Sequence, residues 1–584
     1  MSGYTAPLDD IRFSLDHVGG LGDLVCLEAF RHAEADLVSA VLDEGARFVQ
    51  DLVAPLNRSG DIEGSSLVDG EVRTPSGFKE AYKTFVNAGW GGIDAPAEWG
   101  GHQMPRVVGV AFEEMFTAAN LAFSNCPLLT AGAVTALAAH GTRDQQDRYL
   151  PKLITGEWSA AMNLTEPQAG SDVGALTMRA IPAGDGTYRL TGNKIFITYG
   201  DHDMASNVVH LVLARVPGSP PGTRGISMFI VPKFLPDANG EPGEANDLKV
   251  VSLEHKLGIH AAPTCVMAYG DDAGGAVGFL LGTVNKGMRN MFSMMNTARI
   301  SVAIQGMAVA ERAYQQAAAF ARERRQGRAV GASETSPIID HPDVRRMLMT
   351  MRSNTEAMRA LLYRAAMHQD LAQHARTEQD RGWHTDCLAL LTPVVKTWCT
   401  DLGVETASLG IQIHGGMGYI EETGAAQHWR DARITPIYEG TNGIQSIDLV
   451  MRKLPIDGGR FVHRYIDSLR LSVAGLRELG WDRAAVSLST ALDALTEGAD
   501  HLLSKAGDPN QQLAGASPYC TMFGIVAGGA MMAGAAQAAV RTGHNQKQVT
   551  TRFYLEQVLP TATGLLPAVK AGAGDLFAID AASL

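Results

Sequence analysis

One change of texture constrains the fold more than any other feature of this chain. Apolar residues recur at helical spacing up to about residue 158, as in "FRHAEADLVSAVLDEGARFVQDLVAPLNR" and "MPRVVGVAFEEMFTAAN". From 159 to about 280 the runs are short and strand-like: "TYRLTGNKIFITYG", "NVVHLVLARV", "GISMFIVPKF" and "CVMAYGDDA", punctuated by Gly, Pro, Asn and Asp. Helical spacing then resumes in three long segments, "MRNMFSMMNTARISVAIQGMAVAERAYQQAAAFARERR", "HPDVRRMLMTMRSNTEAMRALLYRAAMHQ" and "DCLALLTPVVKTWCTDLGVETASLGIQIHG". A β block inside a helical protein predicts an α+β, mostly helical fold.

At 584 residues the chain is too long for a single core, since cores stop growing near about 250 to 300 residues. The texture predicts four domains: a helical domain at 1–158, a middle β domain at 159–280, a helical bundle at 281–454 and a further helical domain at 461–584. "LPIDGGR" reads as the linker before the last of these. The formal charge of -13 opposes a nucleic-acid partner, because phosphate binding needs clustered Lys and Arg. Six scattered cysteines with no CxxC pair suit reduced thiols, and the N-terminus shows no basic-then-apolar leader, so a cytoplasmic protein is expected. Residues 520–540 carry no charge over 21 positions, long enough to span a bilayer. Their Ala and Gly content favours a buried helix over a stable membrane span.

Four upstream segments and one downstream segment bear polar chemistry. "NLTEPQAGSDVGA" (163–175) gathers hydroxyls and glycines in a turn-rich loop that could bind a heterocycle or phosphate, or be a plain turn. In "NKIFITYG" (193–200), strand alternation puts Phe196 and Thr198 on one face. "ARERRQGR" (321–328) ends a helix with Arg324 and Gln326, suited to phosphate or simply solvated. "IQIHGGMGYIEE" (411–422) ends a helix at Gly415 and Gly416; its lone His414 reads as packing, with no second metal ligand nearby. In "IYEGTNGIQ" (437–445), Glu439 is either a first-turn charge complementing a helix dipole or a base.

In order and spacing, "TEPQAGSD", "KIFIT", "ERRQ", "QIHGGMGY" and "IYEGTNGIQ" resemble the acyl-CoA dehydrogenase family over roughly residues 80–450. The resemblance implies FAD, an acyl-CoA substrate and removal of two hydrogens across Cα–Cβ. Glu439 then matches the base that takes the α-proton. Its backbone N–H, together with a flavin hydroxyl, would serve the developing enolate oxygen. FAD contacts carry over to Leu164, Thr165, Ser171, Phe196, Thr198, Gln412, Gly415, Gly416 and Thr441, and to Arg324 and Gln326 for the flavin of a neighbouring subunit. Substrate contacts carry over to Ser171, Asn296, Arg299, Tyr438 and Gly440, and no metal is implied. Gly443 stands where many members have Gln, and Gly327 where an aromatic is usual. No carboxylate occurs at residues 295–298, where a minority of members carry the base, which strengthens Glu439.

The opening "YTAPLDDIRFSL", "KLGIHAAPTC" and the extra C-terminal helices are similar to a long bacterial branch of the family. That branch implies 3-(methylthio)propanoyl-CoA as substrate, giving 3-(methylthio)acryloyl-CoA in dimethylsulfoniopropionate breakdown. Straight-chain acyl-CoA is the alternative. Met288, Met291, Met294 and Met295 would suit a thioether, but Met is also a core gap-filler. A DNA-associated alkylation-response homologue is the rival from another class; ten Lys plus Arg against ten Asp plus Glu in 460–584 oppose it. Family membership further implies electron-transfer flavoprotein as acceptor and a homodimer.

Overall fold

The computed structural model describes residues 3–584 and divides into two compact units. One comprises residues 47–104 and 119–301; the other comprises the described residues up to Ala46, then 105–118 and 302–584. The helical stretch predicted at 1–158 is therefore shared between the units.

The first unit is built on an eight-stranded sheet. Its strands are β1 (Trp158–Asn163), β2 (Arg179–Pro182), β3 (Tyr188–Thr198), β4 (Asn207–Ala214), β5 (Ser227–Pro232), β6 (Leu248–Leu253), β7 (Thr264–Tyr269) and β8 (Ala276–Leu280). They run in the order β6-β7-β3-β8-β5-β4-β1, with β2 on β3; β1 and β4 pair in parallel and the other pairs are antiparallel. β4 and β5 are buried at every position, so they read as continuous apolar runs where one-sided strands alternate. Helices Leu121–His140 and Arg143–Thr155 accompany the sheet. The first is capped by the Asn120 side chain and the second by a Thr142–Gln145 capping box.

The second unit is helical. Its principal helices are α1 (Leu8–His17), α2 (Arg106–Ala119), α3 (Gly287–Glu323), α4 (Pro342–His374), α5 (Glu378–His414), α6 (Asn442–Asp448), α7 (Arg460–Glu478), α8 (Asp482–Ser504), α9 (Ala516–Arg541) and α10 (Asn545–Phe553). The division between units falls within α3, after Ser301. Pro342 occupies the first turn of α4, where its missing N–H costs nothing, and Thr377 caps α5 by accepting from Asp380 N.

α9 is the uncharged stretch 520–540. Among the described residues three helices are long and apolar enough to cross a membrane, Leu121–His140, Glu378–Tyr419 and Ala516–Arg541, and 72%, 72% and 78% of their most apolar windows are buried inside the protein. α9 packs on α4, α5, α7 and α8. Its glycines explain the close approach. A Cβ at Gly524 or Gly528 would lie 2.3 and 2.5 Å from the Trp398 ring of α5, so only glycine admits that indole.

A buried charge cluster ties both chain ends to the bundle. Arg359 of α4, 1% exposed at its side chain, meets Glu114 of α2 at 2.5 Å, Asp10 of α1 at 2.5 Å and Glu311 of α3 at 3.0 Å. Lys547 of α10 pairs with Asp10 and, at 3.0 Å, with Glu356. Burial alone would raise the Asp10 carboxyl, but Lys547 and Arg359 outweigh it and hold it at about 2. The linker at 454–460 is a fixed kink: Asp457, Gly458 and Gly459 take φ of 53°, 64° and 86°, and Asp457 holds Arg460 and Arg464.

Candidate functional site

The motif residues divide between the units. In the β unit, the loop after β1 is braced from beneath by a buried ion pair. Lys194 Nζ donates to Glu166 Oε1 and to the Leu164 carbonyl, both at 2.9 Å, and the two side chains are 0% and 3% exposed. Glu166 also accepts from Thr177 N and Oγ1 and from Met178 N. Burial pulls the lysine down to about 8, while Lys194 and Thr177 outweigh burial and hold the carboxyl below its usual range, so the pair is charged at neutral pH. Ile195 N donates to the Thr165 carbonyl at 3.0 Å, tying the loop to β3. The Thr165 side chain is half-buried and Ser171 is exposed.

β3 carries an irregularity where the sequence suggests simple alternation. Cys265 pairs with Ile197 but Met267 pairs with Lys194, so β3 holds one extra residue in that interval. Phe196 occupies the bulge at φ 60°, unusual for a residue with a Cβ, and Tyr199 follows at φ 49°. Lys194 and Ile197 consequently share the buried face. Phe196 and Thr198 still flank Ile197 off the core, with the Phe196 ring 59% exposed and Thr198 half-buried.

At the start of α3, Arg299 is buried, donates to Asn296 Oδ1 at 3.4 Å and lies 5.6 Å over the Phe292 ring. Met291, Met294 and Met295 are buried in the core with Leu129, Leu153 and Trp158, and Met288 packs against them. They fill space there, as methionine commonly does.

In the helical unit, Glu439 sits in a left-handed turn, φ 57°, followed by Gly440 at φ 82°. Left-handed backbone costs a residue with a Cβ roughly 1–2 kcal/mol, so the surroundings must hold it. They do so through a lysine that the sequence motifs do not contain. Lys396 of α5, completely buried, donates Nζ to the Gly440 carbonyl at 2.9 Å and to Asn442 Oδ1 at 2.8 Å. Asn442 Nδ2 in turn donates to Asp401 Oδ1 at 2.7 Å and to Thr400 Oγ1 at 3.0 Å. Gln445 Nε2 donates to the Glu439 carbonyl at 3.1 Å. A Cβ on residue 440 would come within 2.6 Å of that amide, so position 440 needs glycine for space as well as for φ. A lone Lys in the apolar run "LLTPVVKTWC" was the available signal.

The neighbours of Glu439 have distinct placements. Tyr438 O–H donates to Gln305 of α3, and burial followed by the Glu439 charge raises the phenol far above its usual range. Thr441 caps α6 by accepting from Ile444 N at 3.2 Å, which leaves its hydroxyl proton to donate elsewhere. Gly443 is exposed, and a Cβ there would meet only Thr441 Oγ1 at 3.8 Å.

The remaining motif residues lie at exposed ends of helices. Gln412 is exposed, Gly415 turns at φ 60° and ψ -141°, and neither Gly415 nor Gly416 has an atom within 4 Å of its Cβ direction. His414 stacks on Phe320 at 4.4 Å and its Nδ1 bonds the Gly410 carbonyl, a packing role. Among the described residues no group of three His, Cys, Asp or Glu could hold a metal. Arg324 and Gln326 are exposed at the mouth of a loop closed by bonds from Ile338 N to Arg324 O and from Gln326 N to Ser336 O. Bare glycine backbone, an outward aromatic ring and hydroxyls with free donor capacity fit a flavin and its diphosphate.

Four family domains match in order. The acyl-CoA dehydrogenase N-terminal domain matches residues 39–157, the middle domain 161–271, the C-terminal domain 285–454, and the acetyl-CoA dehydrogenase C-terminal-like domain 465–580. A 3-methylmercaptopropionyl-CoA dehydrogenase of Ruegeria pomeroyi is 47% identical, over 95% of this chain and 96% of that protein. A butyryl-CoA dehydrogenase of Syntrophomonas wolfei is 32% identical, over 99% of this chain and 98% of its own. The fold is shared with Caenorhabditis elegans ACDH-11, solved in complex with C11-CoA, at a TM-score of 0.78 and 22% identity over 96% of this chain and 93% of that one.

Proposed function

The chain belongs to the acyl-CoA dehydrogenase family and is an FAD-dependent oxidoreductase of acyl-CoA thioesters, and from that premise we propose that its substrate is 3-(methylthio)propanoyl-CoA. The observation that carries the substrate is the 47% identity, nearly end to end, to a relative named for that substrate, against 32% to a butyryl-CoA dehydrogenase covered at least as fully. The product is 3-(methylthio)acryloyl-CoA, and the reaction belongs to dimethylsulfoniopropionate breakdown.

Bound FAD supplies the acceptor for the β-hydride; the chain's own residues supply the rest. Glu439 takes the α-proton. A thioester α C–H is a weak acid, so the carboxylate must be aimed at it and kept partly out of water, which the braced left-handed turn does. The Glu439 N–H faces the thioester oxygen, which gains charge as the proton leaves. Tyr438 and Gly440 flank the acyl chain, and Arg299 with Asn296 serves the CoA portion. Leu164, Thr165, Ser171, Phe196, Thr198, Gln412, Gly415, Gly416 and Thr441 are the residues assigned to the cofactor. Arg324 and Gln326 reach the flavin of a second subunit in a cytoplasmic homodimer, and electrons pass to electron-transfer flavoprotein.

The test is anaerobic bleaching of the flavin. Holoenzyme mixed with 3-(methylthio)propanoyl-CoA should bleach faster than with butanoyl-CoA, hexanoyl-CoA or longer thioesters. Preference for any straight-chain thioester would refute the substrate. Glu439→Gln should retain FAD and lose bleaching; a fully active variant would remove Glu439 from the mechanism.

A further inference from the structure

Between the bundle helices α4 and α5 and the C-terminal helices α7 and α9 lies an open cavity of about 570 Å³, within the usual range for small-molecule sites. None of the motif residues lines it. We propose that it binds a monoanionic organic acid, with the carboxylate on Arg364 and the apolar body along α7 and α9.

The charge argument starts from Arg364. Among the described residues no carboxylate pairs with its guanidinium. Its Nη1 donates to the Met367 sulfur at 3.4 Å, and its buried Nε has no hydrogen-bond partner. A partly buried arginine without an anion is costly, and buried guanidinium groups are ordinarily paired. The groups around it are neutral donors and acceptors. His368 and His384 bond each other Nδ1 to Nδ1 at 2.8 Å, which admits one proton between them. Burial, and then Arg364, keep His368 well below its usual pKa; burial lowers His384 as well. Tyr465, 2% exposed, has a buried hydroxyl with no partner.

The remaining lining sets the shape of the ligand. Trp383, Met367, Leu469, Leu471, Met531 and Ala533 give an apolar wall, and Leu471 is 77% exposed at the rim. Glu478 also lies at the rim, held by Gln537 at 2.5 Å. One cation facing one rim carboxylate favours a ligand with a single negative charge and an uncharged tail over a dianion.

Hexanoate is the probe, with hexylamine, hexan-1-ol and succinate as comparisons. Binding to the holoenzyme is followed by tryptophan fluorescence, with Trp383→Phe to assign the signal. Hexanoate should quench and the other three should not, and the quench should vanish in Trp383→Phe. Arg364→Gln should weaken hexanoate on the order of tenfold, as expected for a lost charge-assisted contact. Leu471→Asp, at an exposed rim position that folding does not depend on, should weaken it similarly and leave turnover unchanged. Glu439→Gln should bind hexanoate as the wild type does, which separates this cavity from the acyl site. Equal affinity for hexylamine or hexan-1-ol, or undiminished hexanoate binding in Leu471→Asp, would overturn the proposal.

Discussion

Lys396→Met tests whether the left-handed turn at Glu439, the base proposed above, is held by strain-opposing contacts. The wild-type ammonium is completely buried and makes two charge-assisted bonds, to Gly440 O at 2.9 Å and Asn442 Oδ1 at 2.8 Å. At ~1.5 kcal/mol each, these contribute about 3 kcal/mol, with no solvent screening to discount. Gln445 adds roughly 1 kcal/mol through the Glu439 carbonyl. Opposing them is the roughly 1–2 kcal/mol of left-handed backbone at Glu439. The brace wins by about 2–3 kcal/mol in the wild type. Methionine fills the same space and keeps the Gln445 bond, but the Gly440 carbonyl loses its donor at a cost of ~1–3 kcal/mol. The balance then reverses by a similar amount, and the productive turn falls to a few per cent of molecules. Stopped-flow flavin reduction should slow by one to two orders of magnitude at saturating substrate, with FAD content unchanged. Reduction within twofold of wild type would refute the reasoning.

Three further outcomes follow from the same geometry. Asp10 is held at about 2 against an ordinary value near 3.8, so its pairing contributes roughly 2 kcal/mol that is fully present above about pH 4 and is lost as pH falls toward 2. Asp10→Asn should therefore lower the melting temperature at neutral pH, and the gap to wild type should close as melts are run from pH 5 to pH 2.5. Gly524→Ala puts a Cβ 2.3 Å from the Trp398 ring and should destabilise by about 3 kcal/mol or more, read as a drop in melting temperature. Gly443→Gln meets no clash, removes a glycine from the first turn of α6 and restores the residue common in the family; it should tighten FAD in reconstitution of the apoprotein.

What the sequence made legible was local. The texture change located the sheet because strand and helix periods differ over a few residues, and β1 to β8 fall within 158–280. The uncharged stretch 520–540 resolved into a buried helix because Gly524 and Gly528, four apart, stack on one side and admit Trp398. The motifs pointed to Glu439 by order along the chain, but they carried no information about what holds its turn. Lys396 precedes the turn by 44 residues to Gly440. Phe196 and Glu439 both take left-handed backbone that no residue type announces, since Asn or Gly is the ordinary signal for it. The division of the first 158 residues between two units was equally hidden. Within one of those units Arg359 holds Asp10, 349 positions earlier, and Glu114, 245 positions earlier. Such contacts follow from which polar group has no other partner once the core has closed, a condition set by the whole fold. The same condition makes Lys396 and Arg364 opposites: both are cations on bundle helices, Lys396 buried and Arg364 partly so, but Lys396 finds its acceptors within the chain, whereas Arg364 faces a cavity.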